Sequence, residues 1–153
     1  MSALETVSQI CLLIESVFIG YIGYGHLFKP DGNLAELGFT YRPRWEETKE
    51  RALLMRHLCA CLGAAHVGRG AAGVFAGVRG GIVVIYLLFG EIVFLLSTVY
   101  AYSTFPSGTG AKGSPKNGPV EVMYALLALS SIGFVAGLLA QSARARRTKH
   151  HLL

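Results

Sequence analysis

Four long apolar stretches, separated by polar segments, constrain this sequence more than any other feature. They cover about residues 6–28, 52–76, 81–104 and 119–141. As helices rising about 1.5 Å per residue, all four can cross a hydrocarbon core of about 30 Å. Because lipid offers backbone N–H and C=O groups no hydrogen-bond partner, each stretch should be helical. The sequence therefore predicts an all-α fold, an antiparallel bundle of four transmembrane helices, as a single domain over residues 1–153.

The composition agrees with a membrane protein and argues against several other classes. Of the 153 residues, 52% are hydrophobic and 15% are charged, which is well below the roughly 25% charge of an average soluble domain. The net charge of +5 comes without a basic surface interleaved with aromatic side chains, so we expect no nucleic-acid partner. The sequence has no P-loop, nucleophile elbow or zinc-protease motif. We therefore predict no catalytic, cofactor-binding or metal site, and no enzymatic activity.

Cysteines and histidines are the potential ligands for a metal or haem. Cys11, Cys59 and Cys61 all lie in apolar stretches and form no CxxC pattern, so we expect free thiols that pack as small apolar side chains. His57 and His66 are nine residues apart, which places them on opposite faces of a helix. A bis-histidine haem site would need a histidine pair across two helices, and we do not expect haem.

The polar segments indicate how the spans connect. In the connecting segment 29–50, Pro43 suits the first turn of a helix, so the second helix should begin outside the membrane. Residues 105–118 are rich in Gly, Pro and Ser and predict a flexible exposed loop. Residues 142–153 form a basic tail. An interfacial aromatic side chain and this tail predict contacts with anionic lipid headgroups or with a partner through Trp45, Arg144, Arg146, Arg147 and Lys149.

Ionisable residues lie deep inside the spans, and we call Glu15, His66, Arg69 and Glu91 the polar layer. An unpaired charge at the bilayer centre costs at least about 2.5–3.5 kcal/mol on insertion scales, so each charge should have a partner. The short link 77–81 forces a tight hairpin, which makes Arg69 and Glu91 the best candidate pair. Two interpretations stay open. We favour an ionic lock that fixes helix register, and the alternative is a proton relay or a polar substrate pocket.

Small residues predict close helix packing in the second span. The pair Gly73-x-x-x-Gly77 is a small-xxx-small motif, which lets two helix backbones approach closely. Together with the buried charge of Arg69, the glycines indicate that the second helix is the hub of the bundle. Ser130 and Ser131 mark the middle of the fourth span. The glycines predicted to pack against another helix are Gly63, Gly70, Gly73 and Gly77.

The order of several features points to a family. Arg56 and Arg69 bracket the second span, FLLSTVYAYST over 94–104 ends the third, and Ser131-Ile-Gly133 lies in a fourth helix of small residues before a basic tail. In this order the last two thirds of the chain resemble the ergosterol-biosynthesis scaffold family. The resemblance implies a small four-span protein of the endoplasmic reticulum that is not an enzyme and tethers sterol-processing enzymes.

These observations favour a non-enzymatic accessory or scaffold subunit of a larger membrane complex, such as a mitochondrial respiratory complex. The expected partners are other membrane protein subunits and anionic lipids. We slightly favour the mitochondrial inner membrane over the endoplasmic reticulum as the location. Two alternatives remain: a membrane scaffold for sterol-processing enzymes, and a small transporter or membrane enzyme that uses the polar layer.

Overall fold

The computed structural model describes residues 2–29, 46–104 and 118–150. Within those ranges the chain is helical, with no β-strand, which confirms the predicted all-α bundle. Each helix contains a segment that is long and apolar enough to cross a membrane. The four helices are α1 (Ala3–Phe28), α2 (Glu46–Arg79), α3 (Ile82–Thr104) and α4 (Gly118–His150).

Two helices extend well beyond the predicted spans. α2 begins at Glu46, whereas its predicted apolar stretch begins at residue 52, which agrees with a helix that starts outside the membrane. α4 continues to His150, so most of the predicted basic tail is helical, because its Ala, Arg and Lys residues are strong helix formers. Three predicted features lie outside the described residues, namely Pro43, Trp45 and the loop over 105–117.

Local chemistry fixes both the start of α1 and the turn between α2 and α3. Ser2 and Glu5 form a capping box, in which each side chain accepts a hydrogen bond from the other residue's backbone N–H. Gly80 and Gly81 adopt φ values of +74° and +91°, a conformation that glycine takes without steric cost. The chain therefore reverses direction within the short link, as the sequence predicted.

The helices are arranged around the bundle in the order α2–α1–α4–α3. α1 packs along α2, and α4 packs against both α1 and α3. The contacts of α3 with α1 and with α2 are small, and the described parts of α2 and α4 do not touch. The prediction that the second helix is the hub is therefore wrong. α1 is central because it presents small residues on two faces, Gly23 and Ser16 toward α2 and Cys11 toward α4.

A small apolar core lies between the helices, while most large apolar side chains point outward. Leu12, Ala76, Val84 and Leu88 form the core cluster, and Leu88 is completely buried. The outward-facing side chains include aromatic and branched residues on every helix. In water such a surface would be a large exposed apolar patch, whereas in a bilayer it is the surface that contacts lipid.

Candidate functional site

Three members of the polar layer meet at one cavity in the middle of the bundle. Glu15 of α1, Arg69 of α2 and Glu91 of α3 border a space of about 10 Å³, with Ser16 and Leu87 among the other lining residues. Both carboxyl groups are almost fully buried, since each glutamate is 1% exposed. The cavity has about the volume that a single buried water requires. The three spans thus converge at one depth, as their positions in the sequence predicted.

Arg69 and Glu91 form the predicted ion pair. The Arg69 guanidinium contacts Glu91 Oε2, and it also donates a hydrogen bond of 3.2 Å to the Leu87 carbonyl. A Cβ atom at Gly90 would lie 3.6 Å from the guanidinium, which is an ordinary van der Waals distance. Because α2 and α3 otherwise touch little, this arginine connects the two helices at the level of the polar layer.

Glu15 is bound by α4. The Ser130 hydroxyl donates a hydrogen bond to Glu15 Oε1, and Ser130 is 0% exposed. The same hydroxyl lies 2.8 Å from the Leu126 carbonyl. Since a serine hydroxyl has one proton, these two acceptors compete for it. Ser131 donates to the Leu127 carbonyl instead. Among the contacts of the described residues, Ser130 is therefore the one of these two serines that binds a member of the polar layer.

The charge balance of this cavity determines what it can do chemically. Two carboxyl groups share one guanidinium, and a buried unpaired carboxylate is costly, so a neutral layer requires one bound proton. Glu15 Oε2 and Glu91 Oε1 are buried and have no hydrogen-bond partner. These two oxygens are therefore the atoms available to hold that proton or to bind one water.

His66, the fourth member, lies in a separate cluster one turn away. Its ring contacts those of His26 and Phe94 edge-on, with ring centroids 6.0 and 5.4 Å apart. His26 and His66 are thus a histidine pair across two helices, which the sequence did not lead us to expect. α1 and α2 touch beside this pair, where a Cβ on Gly23 would lie 2.8 Å from the Gly63 carbonyl oxygen.

Other potential metal ligands are dispersed. Within the described ranges, no group of three or more His, Cys, Asp or Glu side chains is placed to hold a metal ion. The thiols of Cys11, Cys59 and Cys61 are not joined in disulfides, and the first two are buried. The Cys61 sulfur lies 3.7 Å from His57 Nε2 on the exposed face of α2.

The predicted glycine face of α2 packs against α1. A Cβ at Gly63 would lie 2.6 Å from the Leu27 backbone nitrogen, and one at Gly70 would lie 2.7 Å from the Ser16 carbonyl oxygen. Gly73 faces the Ser16 hydroxyl, and Gly77 faces the Leu13 side chain at 2.7 Å. The close-packing prediction is confirmed, and its partner is the first helix of the same chain.

The four basic residues among the predicted headgroup contacts lie at the end of α4. One of them has an internal partner. Arg144 forms an ion pair with Glu5, a residue that the sequence analysis did not single out. The sequence pattern that could have identified Glu5 is the capping pattern Ser2-x-x-Glu5. This pattern places a carboxylate at the membrane face that bears the basic tail. Arg146 and Arg147 are exposed, and Lys149 lies in the last turn of α4.

Four membrane-length apolar helices with polar pairs at their centre define a multi-pass membrane protein. Comparison with protein-family models, with curated proteins and with solved structures finds no match to this chain. Its function is therefore argued from its own helices and from the polar groups between them.

Proposed function

We propose that this chain is a non-enzymatic accessory or scaffold subunit of a larger membrane protein complex. The observation that carries the proposal is that Arg69, Glu91 and Glu15 each find a polar partner within the bundle. Arg69 is bound to Glu91, and Glu15 accepts from Ser130, around a cavity of about 10 Å³. This arrangement suits a lock that fixes helix register, because a substrate path needs open volume and groups that are free to exchange partners.

The outer surfaces supply the contacts that such a subunit needs. Because α1 covers the glycine face of α2, the bundle is held together by its own helices and presents a preformed apolar surface. α2 begins at Glu46, six residues before the predicted apolar stretch at 52–76, which corresponds to roughly 9 Å of helix outside the membrane. α4 ends at His150 on the opposite side of the bundle. Helical projections on both faces favour an assembly role.

The proposed host membrane is the mitochondrial inner membrane. Small polytopic accessory subunits are common in respiratory complexes, and the size and span count of this chain suit such a subunit. The resemblance to the ergosterol-biosynthesis scaffold family supports the endoplasmic reticulum as the second candidate, with sterol-processing enzymes as partners. Imaging a tagged full chain beside markers for both organelles distinguishes these locations.

A second candidate function is proton-coupled transport or membrane-enzyme activity at the polar layer. The observation that favours it is the pair of buried oxygens, Glu15 Oε2 and Glu91 Oε1, which have no hydrogen-bond partner and border one cavity. Such a layer can take up and release one proton. A transport function also requires that protons reach the layer from both sides of the membrane.

A Glu91→Gln variant separates the two functions. The tagged full chain is purified from its native membrane in mild detergent, and the proteins that accompany it are identified and quantified. The scaffold proposal expects the variant to lose most of the associated complex, because Arg69 has lost its anion and the bundle loosens. A Glu5→Gln variant is the matched control, since it neutralises a carboxylate outside the polar layer.

Two results contradict the scaffold proposal. One is that the wild-type chain leaves its native membrane without any stoichiometric partner. The other is that the Glu91→Gln variant assembles normally while proteoliposomes of the wild-type chain, but not those of the variant, show proton uptake with a pH-sensitive dye. The second result would establish the transport function instead.

A further inference from the structure

A second, larger cavity opens at the membrane face that carries both termini. It lies where α1 begins, α2 turns into α3 and α4 leaves the apolar region, and its volume is about 80 Å³. We call it the terminal cavity. It shares no residue with the cavity of the polar layer. Its polar lining consists of Glu5, Ser8, Gln9, Arg79, Gln141 and Arg144.

The charged groups of the terminal cavity leave a net positive charge. Glu5 is already engaged through both oxygens, because Oε2 accepts from the Ser2 backbone N–H at 2.9 Å and Oε1 pairs with Arg144 Nε. The terminal NH₂ groups of Arg144 therefore remain available as donors. The Arg79 guanidinium lies 4.4 Å from the centre of the Phe75 ring, and this cation–π contact holds it in place.

A buried hydroxyl without a partner completes the lining. Ser8 is 3% exposed, it borders the terminal cavity, and its Oγ has no hydrogen-bond partner. A serine inside a helix commonly donates to the carbonyl four residues earlier, as Ser131 does in this chain. A buried hydroxyl without a partner is unfavourable. Its position at the cavity wall indicates that a ligand atom supplies the missing partner.

Gln9 contributes a side-chain amide to the same wall. Gly80 lets this amide approach, because a Cβ at Gly80 would lie 2.5 Å from Gln9 Nε2. The first turn of α3 adds no such donor at Val84, since the Val84 N–H donates to the Gly81 carbonyl at 3.2 Å. The two arginines, the Ser8 hydroxyl and the Gln9 amide together form an anion-binding set.

We propose that the terminal cavity binds a phosphate group, and that an anionic phospholipid headgroup supplies it. Two arginines and a hydroxyl match phosphate oxygens. The carboxylate of Glu5 at the rim favours a singly charged phosphodiester over the dianion of free phosphate, since a second negative charge is repelled. The cavity lies where the apolar faces of α1 and α3 begin, which is the depth of headgroups. Phosphate binding here is independent of the scaffold role.

Binding is measured on the purified full chain in a zwitterionic detergent. Phosphatidylglycerol is titrated into the micelles and bound lipid is counted by native mass spectrometry, with phosphatidylcholine as the zwitterionic comparison. Arg79→Gln and Arg144→Gln should each weaken the apparent affinity for phosphatidylglycerol about tenfold, because each removes charge-assisted hydrogen bonds. Ser8→Ala should weaken it about three- to tenfold, without changing the charge or the outer surface.

Lys29→Gln is the matched control. It removes the same unit of charge from an exposed residue at the far end of α1, and Lys29 does not line the cavity. It should change the affinity less than twofold. Circular dichroism melting is recorded for every variant, and Ser8→Ala keeps the test decisive if an arginine variant unfolds.

Three outcomes would overturn the proposal. The proposal is overturned if Lys29→Gln weakens binding as strongly as Arg144→Gln, since equal losses would mean diffuse attraction to the positive charge of the chain. An affinity for phosphatidylglycerol that does not exceed that for phosphatidylcholine refutes headgroup binding. Displacement of the lipid by inorganic phosphate at low millimolar concentration would assign the site to free phosphate and refute the lipid as the source, whereas no displacement supports the lipid.

Discussion

Exchanging Arg69 for leucine tests whether the ion pair locks the bundle. The Glu91 side chain is 2% exposed, and that of Arg69 is 31% exposed. Removing the arginine therefore leaves a carboxyl group that is buried and has lost its cation. Removing one member of a buried pair costs about 3–5 kcal/mol. Because Arg69 is partly exposed, we expect a loss near the lower end, about 3 kcal/mol of the free energy of unfolding.

The double variant Arg69→Leu/Glu91→Leu gives the opposite result for the same physical reason. It removes both charges, so no buried charge is left without a partner, and apolar replacements of buried pairs are often neutral or stabilising. We expect its stability to lie within about 1 kcal/mol of the wild type. The resulting coupling energy between the two positions in a double-mutant cycle is then about 2 kcal/mol or more.

The free energy of unfolding is measured for all four proteins of the cycle. Each is unfolded reversibly in mixed micelles of a mild detergent and sodium dodecyl sulfate, and circular dichroism follows the transition. The reasoning is refuted if Arg69→Leu stays within about 0.5 kcal/mol of the wild type. It is equally refuted if the double variant is less stable than either single variant, since the two residues would then act separately.

Two further predictions concern the contacts of α1 with its neighbours. Gly70→Ala should lower the free energy of unfolding by about 1–3 kcal/mol, because the new Cβ would meet the backbone of α1 at 2.7 Å. Gly68→Ala is the control in the same micelle assay. Since nothing lies within 4 Å of a Cβ at Gly68, this variant should change the free energy of unfolding by less than about 0.5 kcal/mol. Ser130→Ala should lower the free energy of unfolding by about 1–2 kcal/mol, because it removes the donor to buried Glu15. Ser131→Ala should lower it less. Equal losses in the two variants would contradict the assignment of Ser130 as the partner of Glu15.

The sequence predicted the features that depend on local composition. Apolar length defined the spans, the glycine-rich link defined the hairpin, and the cost of a charge in lipid led to the pairing of Arg69 with Glu91. Each of these follows from a short segment, or from two segments held together by a tight turn. No information on the other helices was needed.

The features that the sequence did not reveal depend on which helices are neighbours. Glu15 binds Ser130 because α1 packs on α4, and sequence order gives no preference for that contact over one with α3. The terminal cavity likewise needs the first turn of α1, the link and the end of α4 in one place. The prediction that α2 is central was wrong because its glycines indicate close packing without identifying the partner helix. That partner is α1, which packs on α4 as well.

The contact between α1 and α2 also bears on how the protein is made. α1 and α2 leave the ribosome before α3 and α4, and their glycine-lined contact is complete without any residue of α3 or α4. The second half of the chain brings its own contact, between α3 and α4, together with the serine that binds Glu15. Biogenesis can therefore proceed as the joining of two helical hairpins along α1 and α4. Glu15 then gains its hydroxyl partner only when the two hairpins meet, so the carboxyl group favours their joining.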